Sequence, residues 1–337
     1  MDQKLVTRAY NSFEFDLHTN RITKKSSNSK LQLEYEYFQQ IEKDCGHLSA
    51  LFPKVIDYWT EDGCKTYHLM MEYYAYPNLG MAMIDDTQSS FISLDFWKSV
   101  AHKLYKLITE DFNGCEEGKT PYTNRYSRDM YVNKTEREYN ALKTNFEFFS
   151  NLCSEKELII NGKKCLNFEV IWNDIKEYIE KSLCRDIPFY VIHGDMCFSN
   201  ILCGMSYNNE PIFKFIDPRG SFGSLGGVYG DPLYDVAKLF HSFEGMYEFI
   251  INDKFSLTEI TPLKEYLYSF DCDLLAKHFL QGIFEKQFND FDLTRVRLIE
   301  GLIFVGMCAR HYDSLDRQKV MYMTGLSILN DIYKEIK

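Results

Sequence analysis

Residues 189–220, FYVIHGDMCFSNILCGMSYNNEPIFKFIDPRG, limit what this chain can fold into more than any other stretch. Residues 189–192 form a short apolar run, and 193–199 carry the polar signature of a loop. Two further apolar runs, 201–203 and 212–216, are separated by GMSYNNEP, which is rich in turn formers. The pattern predicts a β-hairpin. In an antiparallel hairpin the residue entering the first strand lies beside the residue leaving the second. Asn200 and Asp217 therefore meet at the open end, and Asp195 lies in the loop that leads into it.

Two carboxylates and an amide at one point make a site for a hard cation. Mg²⁺ takes oxygen ligands, keeps several waters, and is commonly held by few protein groups plus substrate phosphates. Asn200 and Asp217 supply such groups. Asp195, set slightly apart, is placed to accept a proton from an attacking hydroxyl. This division of labour is that of phosphoryl transfer, where the protein positions and a metal neutralises charge.

The bulk properties narrow the partners. The chain has 337 residues, enough for two lobes, and a formal net charge of −11 with no dense Lys/Arg run. Nucleic acid is therefore not an expected partner. Its ten cysteines include no Cys-x-x-Cys pair, so neither a zinc ribbon nor a disulfide framework is expected. The start, MDQKLVTRAY, has no apolar leader, and runs such as 302–309 are too short to span a bilayer. The expectation is a cytoplasmic protein without membrane insertion, and the sequon Asn133-Lys134-Thr135 reads as a chance match.

Upstream, residues 13–25 read as two strands around a turn at His18-Thr19-Asn20, with Ile22 and Lys24 on one face. Residues 30–43 have helical period, with Leu31, Tyr35, Phe38 and Ile41 or Glu42 in a stripe. Glu34 falls inside that stripe while Glu36 points away, and a carboxylate on a buried face needs a partner. Strands are expected over 52–58 and 66–73, and Pro77 and Gly80 mark a boundary. Beyond it the chain reads as mostly helical. A helix carries Phe96, Val100, Leu104, Leu107 and Ile108, and a loop with Gly114, Gly118 and Pro121 fills 113–124. Residues 125–149 look helical without a clean stripe, and another helix carries Phe168, Ile171, Ile175 and Ile179. After the hairpin, Asp231-Pro232 reads as an N-cap with proline at the first helical position, on a helix that turns Leu233, Val236, Ala237 and Phe240 inward. Helices over 274–288, 294–312 and 316–336 complete the chain.

HGDMCFSN resembles the catalytic loop HGDxxxxN of the aminoglycoside phosphotransferase and choline kinase superfamily, which has the protein-kinase-like fold. IFKFIDPRG resembles that family's strand ending in a metal-binding Asp, and GDPLYD, from Gly230 to Asp235, its GDPxxD segment. The IDPRG form together with YGDPLYDVAKLFHS is most similar to phosphotransferases encoded with bacterial capsule and surface-polysaccharide genes. The resemblance is strong over 190–242 and weaker elsewhere. It implies an α+β fold of two lobes: a small antiparallel-sheet N-lobe over 1–76 and a larger, mainly helical C-lobe over 77–337. It implies ATP as co-substrate with Mg²⁺, Asp195 as catalytic base, His193 as brace of the loop, and Asn200 and Asp217 as metal ligands. Asp231 and Asp235 become structural, capping a helix and tying the loop down.

For the N-lobe the resemblance implies a strand lysine on the phosphates, paired with a helix Glu. Lys24 with Glu34 fits, with Lys25 the competing lysine because a slip of one residue swaps faces. The run Met70-Met71-Glu72-Tyr73-Tyr74 resembles the hinge that meets adenine, so Glu72 and Tyr74 join the nucleotide-binding set. The departure is the phosphate loop: residues 1–30 contain no glycine, which leaves the choice between ATP and GTP open. The acceptor site is expected on the C-lobe facing Asp195. Its candidates are Arg219, the group Tyr131, Lys134 and Arg137, and the group His311, Asp313 and Arg317. The expected activity is phosphorylation of a hydroxyl on a sugar, an amino alcohol or a related precursor. The alternatives are a kinase fold that has lost catalysis and serves as a binding module, or an aminoglycoside phosphotransferase.

Overall fold

The computed structural model describes residues 11–63, 65–88, 93–115 and 122–337. Gly118 and Pro121 of the expected loop lie outside the described residues, as do the first ten residues of the expected N-lobe and of the glycine-free stretch.

Four strands, β1 (Asn11–Asp16), β2 (Arg21–Ser26), β3 (Val55–Glu61) and β4 (Thr66–Glu72), form one antiparallel sheet in the order β1-β2-β4-β3. Helix α1 (Lys30–Asp44) lies between β2 and β3 in the chain and buries Leu31, Glu34, Tyr37, Phe38 and Ile41. The apolar period places Glu34 on that face, as expected. Tyr37 rather than Tyr35 fills the stripe; Tyr35 instead stacks on Tyr58 with ring centroids 4.3 Å apart. The strand expected over 52–58 starts later, because Gly46–Leu51 winds as a 3₁₀ turn and delays entry into β3.

The remainder is mainly helical: α2 (Leu79–Gln88), α3 (Leu94–Lys106), α4 (Thr123–Arg128), α5 (Lys134–Asn145) and α6 (Glu147–Leu152). Between α4 and α5 the helix widens into a π turn at Asp129–Asn133. One such turn shifts the phase of every later side chain, which explains why 125–149 show no single stripe. Strands β5 (Glu157–Ile160) and β6 (Lys163–Leu166) precede α7 (Phe168–Leu183). They join β13 (Phe255–Thr261) and β14 (Glu265–Phe270) in a second four-stranded sheet, ordered β13-β14-β5-β6, with a parallel β14–β5 pair. Periodicity gave no warning of this sheet, since its partners come from segments about a hundred residues apart.

Between these strands run β7 (Tyr190–Val191), the hairpin β8 (Ile201–Met205) and β9 (Pro211–Phe215), and three two-residue strands, β10 (Ser221–Phe222), β11 (Leu225–Gly226) and β12 (Tyr229–Gly230). Then come α8 (Pro232–Phe243), α9 (Tyr247–Ile251), α10 (Leu274–Gln287), α11 (Leu293–Met307) and α12 (Leu315–Ile336). One continuous apolar core runs from Leu31 and Phe38 to Leu326 and Ile332. Among the described residues no helix is long and apolar enough to cross a membrane.

Candidate active site

The loop 193–200 is held from below by its own apolar residues. Met196, Cys197 and Phe198 are buried, and Phe198 lies between Trp97 and Phe284 with centroids 5.7 and 5.4 Å away. Asp195 thereby rides on a loop whose following three side chains are fixed in the core. From the side, Asp235 in α8 accepts the backbone N–H groups of His193 and Gly194 at 2.6 and 2.8 Å. Asp231 accepts from Leu233 N–H at 3.0 Å as the N-cap of α8, and from the Tyr131 hydroxyl at 2.8 Å. Burial pushes the Asp235 carboxyl up to about 7, against the pull of the two N–H groups it accepts.

His193 is fully buried. Its Nε2 lies 3.0 Å from the Ile216 carbonyl and its Nδ1 accepts from Asp195 N–H at 3.3 Å, which together fit a neutral ring protonated on Nε2. Burial lowers its pKa to about 4, so the ring is neutral at physiological pH. The imidazole thus joins the loop that carries Asp195 to the strand end that precedes Asp217.

The hairpin register pairs Ile201 with Phe215, and Ile216 N–H reaches the Asn200 carbonyl at 3.0 Å, so Asn200 and the segment entering Asp217 lie side by side. The Asn200 amide nitrogen donates to the Asp195 carbonyl at 2.8 Å. Its side-chain oxygen takes no part in that bond. Asp217 sits at φ 57°, a left-handed conformation that costs a residue with a Cβ of the order of 1–2 kcal/mol and turns the chain sharply off β9. Gly220, three residues on, packs against α1: a Cβ there would lie 2.4 Å from the Leu33 carbonyl oxygen. That close approach sets α1, and with it Glu34, against the Asp217 turn.

Lys24 is buried and bonds both Glu34, at 2.6 Å, and Asp217. Lys25 lies half-buried on the opposite face of β2. Burial acts against the Lys24 charge, but the Asp217 and Glu34 carboxylates outweigh it and raise its pKa. Burial pushes the Glu34 carboxyl up to about 7; Lys24 pulls it back and Asp217 pushes it further. One ammonium thus serves two carboxylates, and Glu34 Oε1 has no hydrogen-bond partner among the described residues. Tyr74 donates to Glu72 at 2.7 Å, with the Lys214 ammonium 4.5 Å from the centre of its ring.

A group that sequence reasoning passed over completes the arrangement. Lys238 in α8 is buried, and its ammonium meets Asp195 Oδ1 at 2.9 Å. Burial opposes its charge, yet Asp195 holds its pKa above the usual lysine range. The signal was present: Tyr234, Asp235, Lys238, His241 and Ser242 recur at helical spacing opposite the apolar stripe. Such a face normally meets water, but α8 is buried all round.

The expected acceptor residues are not all brought together. Arg219 lies beside Asp195, its Nη1 2.8 Å from the Tyr234 hydroxyl and 3.4 Å from the Gly194 carbonyl. Lys134 donates to the same Tyr234 hydroxyl at 3.5 Å. Arg137 is exposed and faces Glu138 at 3.6 Å. Arg317 is bound by Asp253 and Asp313 at 2.6 and 2.8 Å, so it forms part of a surface network. His311 stands behind Tyr247, ring centroids 6.1 Å apart, and that same Tyr247 ring lies 5.4 Å from the Lys238 ammonium.

No family model and no curated protein matches the sequence. Against solved structures, the chain aligns with APH(2")-IIia, an aminoglycoside phosphotransferase determined as its GDP and kanamycin complex. The identity is 12%, the TM-score 0.53, and the alignment covers 98% of this chain and 91% of that one. The streptomycin-ATP-APH(2")-IIa ternary complex aligns at 12% identity and TM-score 0.45, over 96% and 89% of the two chains. Choline kinase LicA from Streptococcus pneumoniae aligns at 12% identity and TM-score 0.47, over 96% and 91%. At such identity the first likeness speaks to the fold, which is the α+β, protein-kinase-like one.

Proposed function

We propose that the protein is a small-molecule kinase that moves the γ-phosphate of ATP onto a hydroxyl of a small polar acceptor. The acceptor oxygen bonds the γ-phosphorus while the bond from that phosphorus to the β,γ-bridging oxygen breaks. ADP leaves with that electron pair, and the acceptor proton passes to Asp195 and then to water. Lys24, Glu34 and the hinge segment with Glu72 and Tyr74 serve the nucleotide. The amides of Glu72 and Tyr73 already donate to the carbonyls of Lys54 and Asn20, so adenine meets the chain beyond them.

Asn200 and Asp217 fit Mg²⁺: one amide oxygen and one carboxylate are the small, hard donor set that an ion sharing its shell with waters and phosphates takes. No cluster of three or more His, Cys, Asp or Glu side chains suited to a metal occurs among the described residues. The undercompensated carboxylates around Lys24 supply a second reason to expect a cation there. When bound, the ion neutralises charge on the phosphates. The remaining work belongs to the chain: Lys238 and the Asn200 amide orient Asp195 and its loop, and His193 keeps that loop against the hairpin end.

What supports this reading most is one contact. Lys24 comes from 193 positions earlier in the chain, yet its ammonium meets Asp217 at the hairpin end that also holds Asn200. The deciding experiment is Mg²⁺-dependent binding of ATP, measured by calorimetry on the wild type and on Asp217→Ala. Binding by the wild type that requires Mg²⁺ and is lost in the variant is expected; equal binding by both overturns the metal assignment. A place in capsule or surface-polysaccharide synthesis rests on the IDPRG and YGDPLYDVAKLFHS segments alone, and capsule loss on deletion of the gene tests it.

A further inference from the structure

Near Asp195, Arg219 and Lys134 lie beyond salt-bridge distance of any carboxylate among the described residues, with Glu138 acting on both and Asp195 on Arg219 only from farther off. The Tyr234 hydroxyl receives Arg219 Nη1 at 2.8 Å and Lys134 Nζ at 3.5 Å, and both cations lie 5.6 Å from the centre of the same ring. Neither forms a salt bridge among the described residues, in contrast to their neighbours. Lys238 has Asp195 at 2.9 Å, and Arg310 has Glu138 at 3.6 Å. Glu138 is shared further with Arg137, also at 3.6 Å.

Lys134, Tyr131, Tyr234 and Arg310 line a narrow recess, with Leu302 and Ile303 among its apolar walls. The π turn immediately before Lys134 places it there, and such turns occur often at functional sites. Arg219 is seated by Gly194, where a Cβ would come within 2.7 Å of the arginine Cβ; the φ of 77° at Gly194 likewise calls for glycine. The sequence thus gives up a side chain next to Asp195 in order to bring a guanidinium close. Burial, then Arg219 and Arg310, push the Lys134 ammonium well below its usual range against the pull of Glu138, so a bound anion favours its charged form. A protein with a net charge of −11 that holds two basic side chains here without a salt bridge to either has a use for them.

We infer that the acceptor carries an anionic oxyacid group, a phosphate monoester or a carboxylate, which Lys134 and Arg219 bind while the hydroxyl to be phosphorylated faces Asp195. The inference rests on the kinase reading above and adds the class of acceptor to it. Arg219 offers a planar fork suited to two oxygens of such a group, and Lys134 a point charge. A polycationic acceptor meets repulsion at this position, and a neutral one leaves both basic groups without an ion pair.

The test starts without nucleotide, so that it does not depend on the kinase reading. The full chain is titrated with inorganic phosphate and followed by thermal shift, as wild type, Lys134→Met, Arg219→Gln and, as a control for the donor side, Lys24→Met. Saturable stabilisation is expected in the wild type and in Lys24→Met, with the apparent affinity at least ten-fold weaker in Lys134→Met and Arg219→Gln. Circular dichroism confirms that each variant is folded; should one fail to fold, the other carries the comparison. Stabilisation lost in Lys24→Met but kept in Lys134→Met, or no saturable binding at all, overturns the inference.

Transfer from Mg²⁺-ATP is then compared on glycerol 3-phosphate, glycerate, glycerol and kanamycin. Turnover of the phosphate or the carboxylate compound, with kcat/KM at least ten-fold lower in Lys134→Met and Mg²⁺-ATP affinity unchanged, supports the inference and tells the two anions apart. Preferred turnover of glycerol or kanamycin overturns it. Failure to bind Mg²⁺-ATP, with phosphate binding intact, would count against the kinase reading and not against the anion site.

Discussion

Replacing Lys238 by Met is expected to slow turnover far more than it weakens ATP binding. The lysine is buried and its ammonium lies 2.9 Å from Asp195 Oδ1. Met has similar length and apolar volume but neither the charge nor the donor. Breaking a buried ion pair by removing one partner costs about 3–5 kcal/mol. Here the side chain of Asp195 keeps 36% exposure, so water takes up much of the charge left behind, and the loss falls to about 1–2 kcal/mol. For a chain of this size that is a melting temperature lower by a few degrees. The larger effect is on geometry. Without Lys238 the carboxylate loses a fixed partner, and misplacement of a reacting group by ~1 Å can cost about 100-fold in rate. The assay is Mg²⁺-dependent hydrolysis of ATP, in which water stands in for the acceptor, with kcat and KM separated. The expected result is kcat reduced by about 10- to 100-fold, with KM for ATP changed by less than about three-fold. A variant with lowered melting temperature but unchanged kcat would refute the positioning role and leave Lys238 a structural ammonium.

Two further outcomes follow from the supports of the site. His193, with its pKa lowered to about 4 by burial, binds no proton in the folded protein between about pH 6.5 and 4, whereas the unfolded chain does. Its contribution is therefore lost as pH falls through that window, by about 3 kcal/mol in full. Denaturant titrations at pH 7 and pH 4.5 should show the wild type losing more stability than His193→Asn, and parallel losses would contradict this. Gly220→Ala forces a Cβ at φ 65° against the Leu33 carbonyl oxygen, a backbone atom that cannot rotate away, and should cost about 2–4 kcal/mol while weakening ATP binding through α1. Unchanged stability would show that α1 shifts without penalty.

What could be read in the sequence was local or periodic. The hairpin over 201–215, with Asn200 and the Asp217 turn at its open end, followed from two apolar runs and a turn, and Asp231-Pro232 announced the start of α8. Glu34 showed itself as a carboxylate inside an apolar stripe. Lys238 did not, because a polar face on a helix looks solvated until the helix is seen to be buried on all sides. The π turn hid the placement of Lys134 by shifting the helical phase, and the parallel pairing of β14 with β5 had no local trace. The acceptor candidates were read by residue type alone, which is why Arg137 and Arg317 stood beside Arg219 until contacts separated them.

The central claim is that Asp195 takes the proton of an attacking hydroxyl. Phosphate release from Mg²⁺-ATP by the wild type and by Asp195→Asn, each also checked for nucleotide-induced thermal stabilisation, tests it most directly. The account predicts that Asp195→Asn binds and is stabilised by Mg²⁺-ATP much as the wild type is, while turnover falls to background. Full turnover in Asp195→Asn would contradict the mechanism, and binding without turnover in the wild type itself would make the protein a kinase-fold binding module.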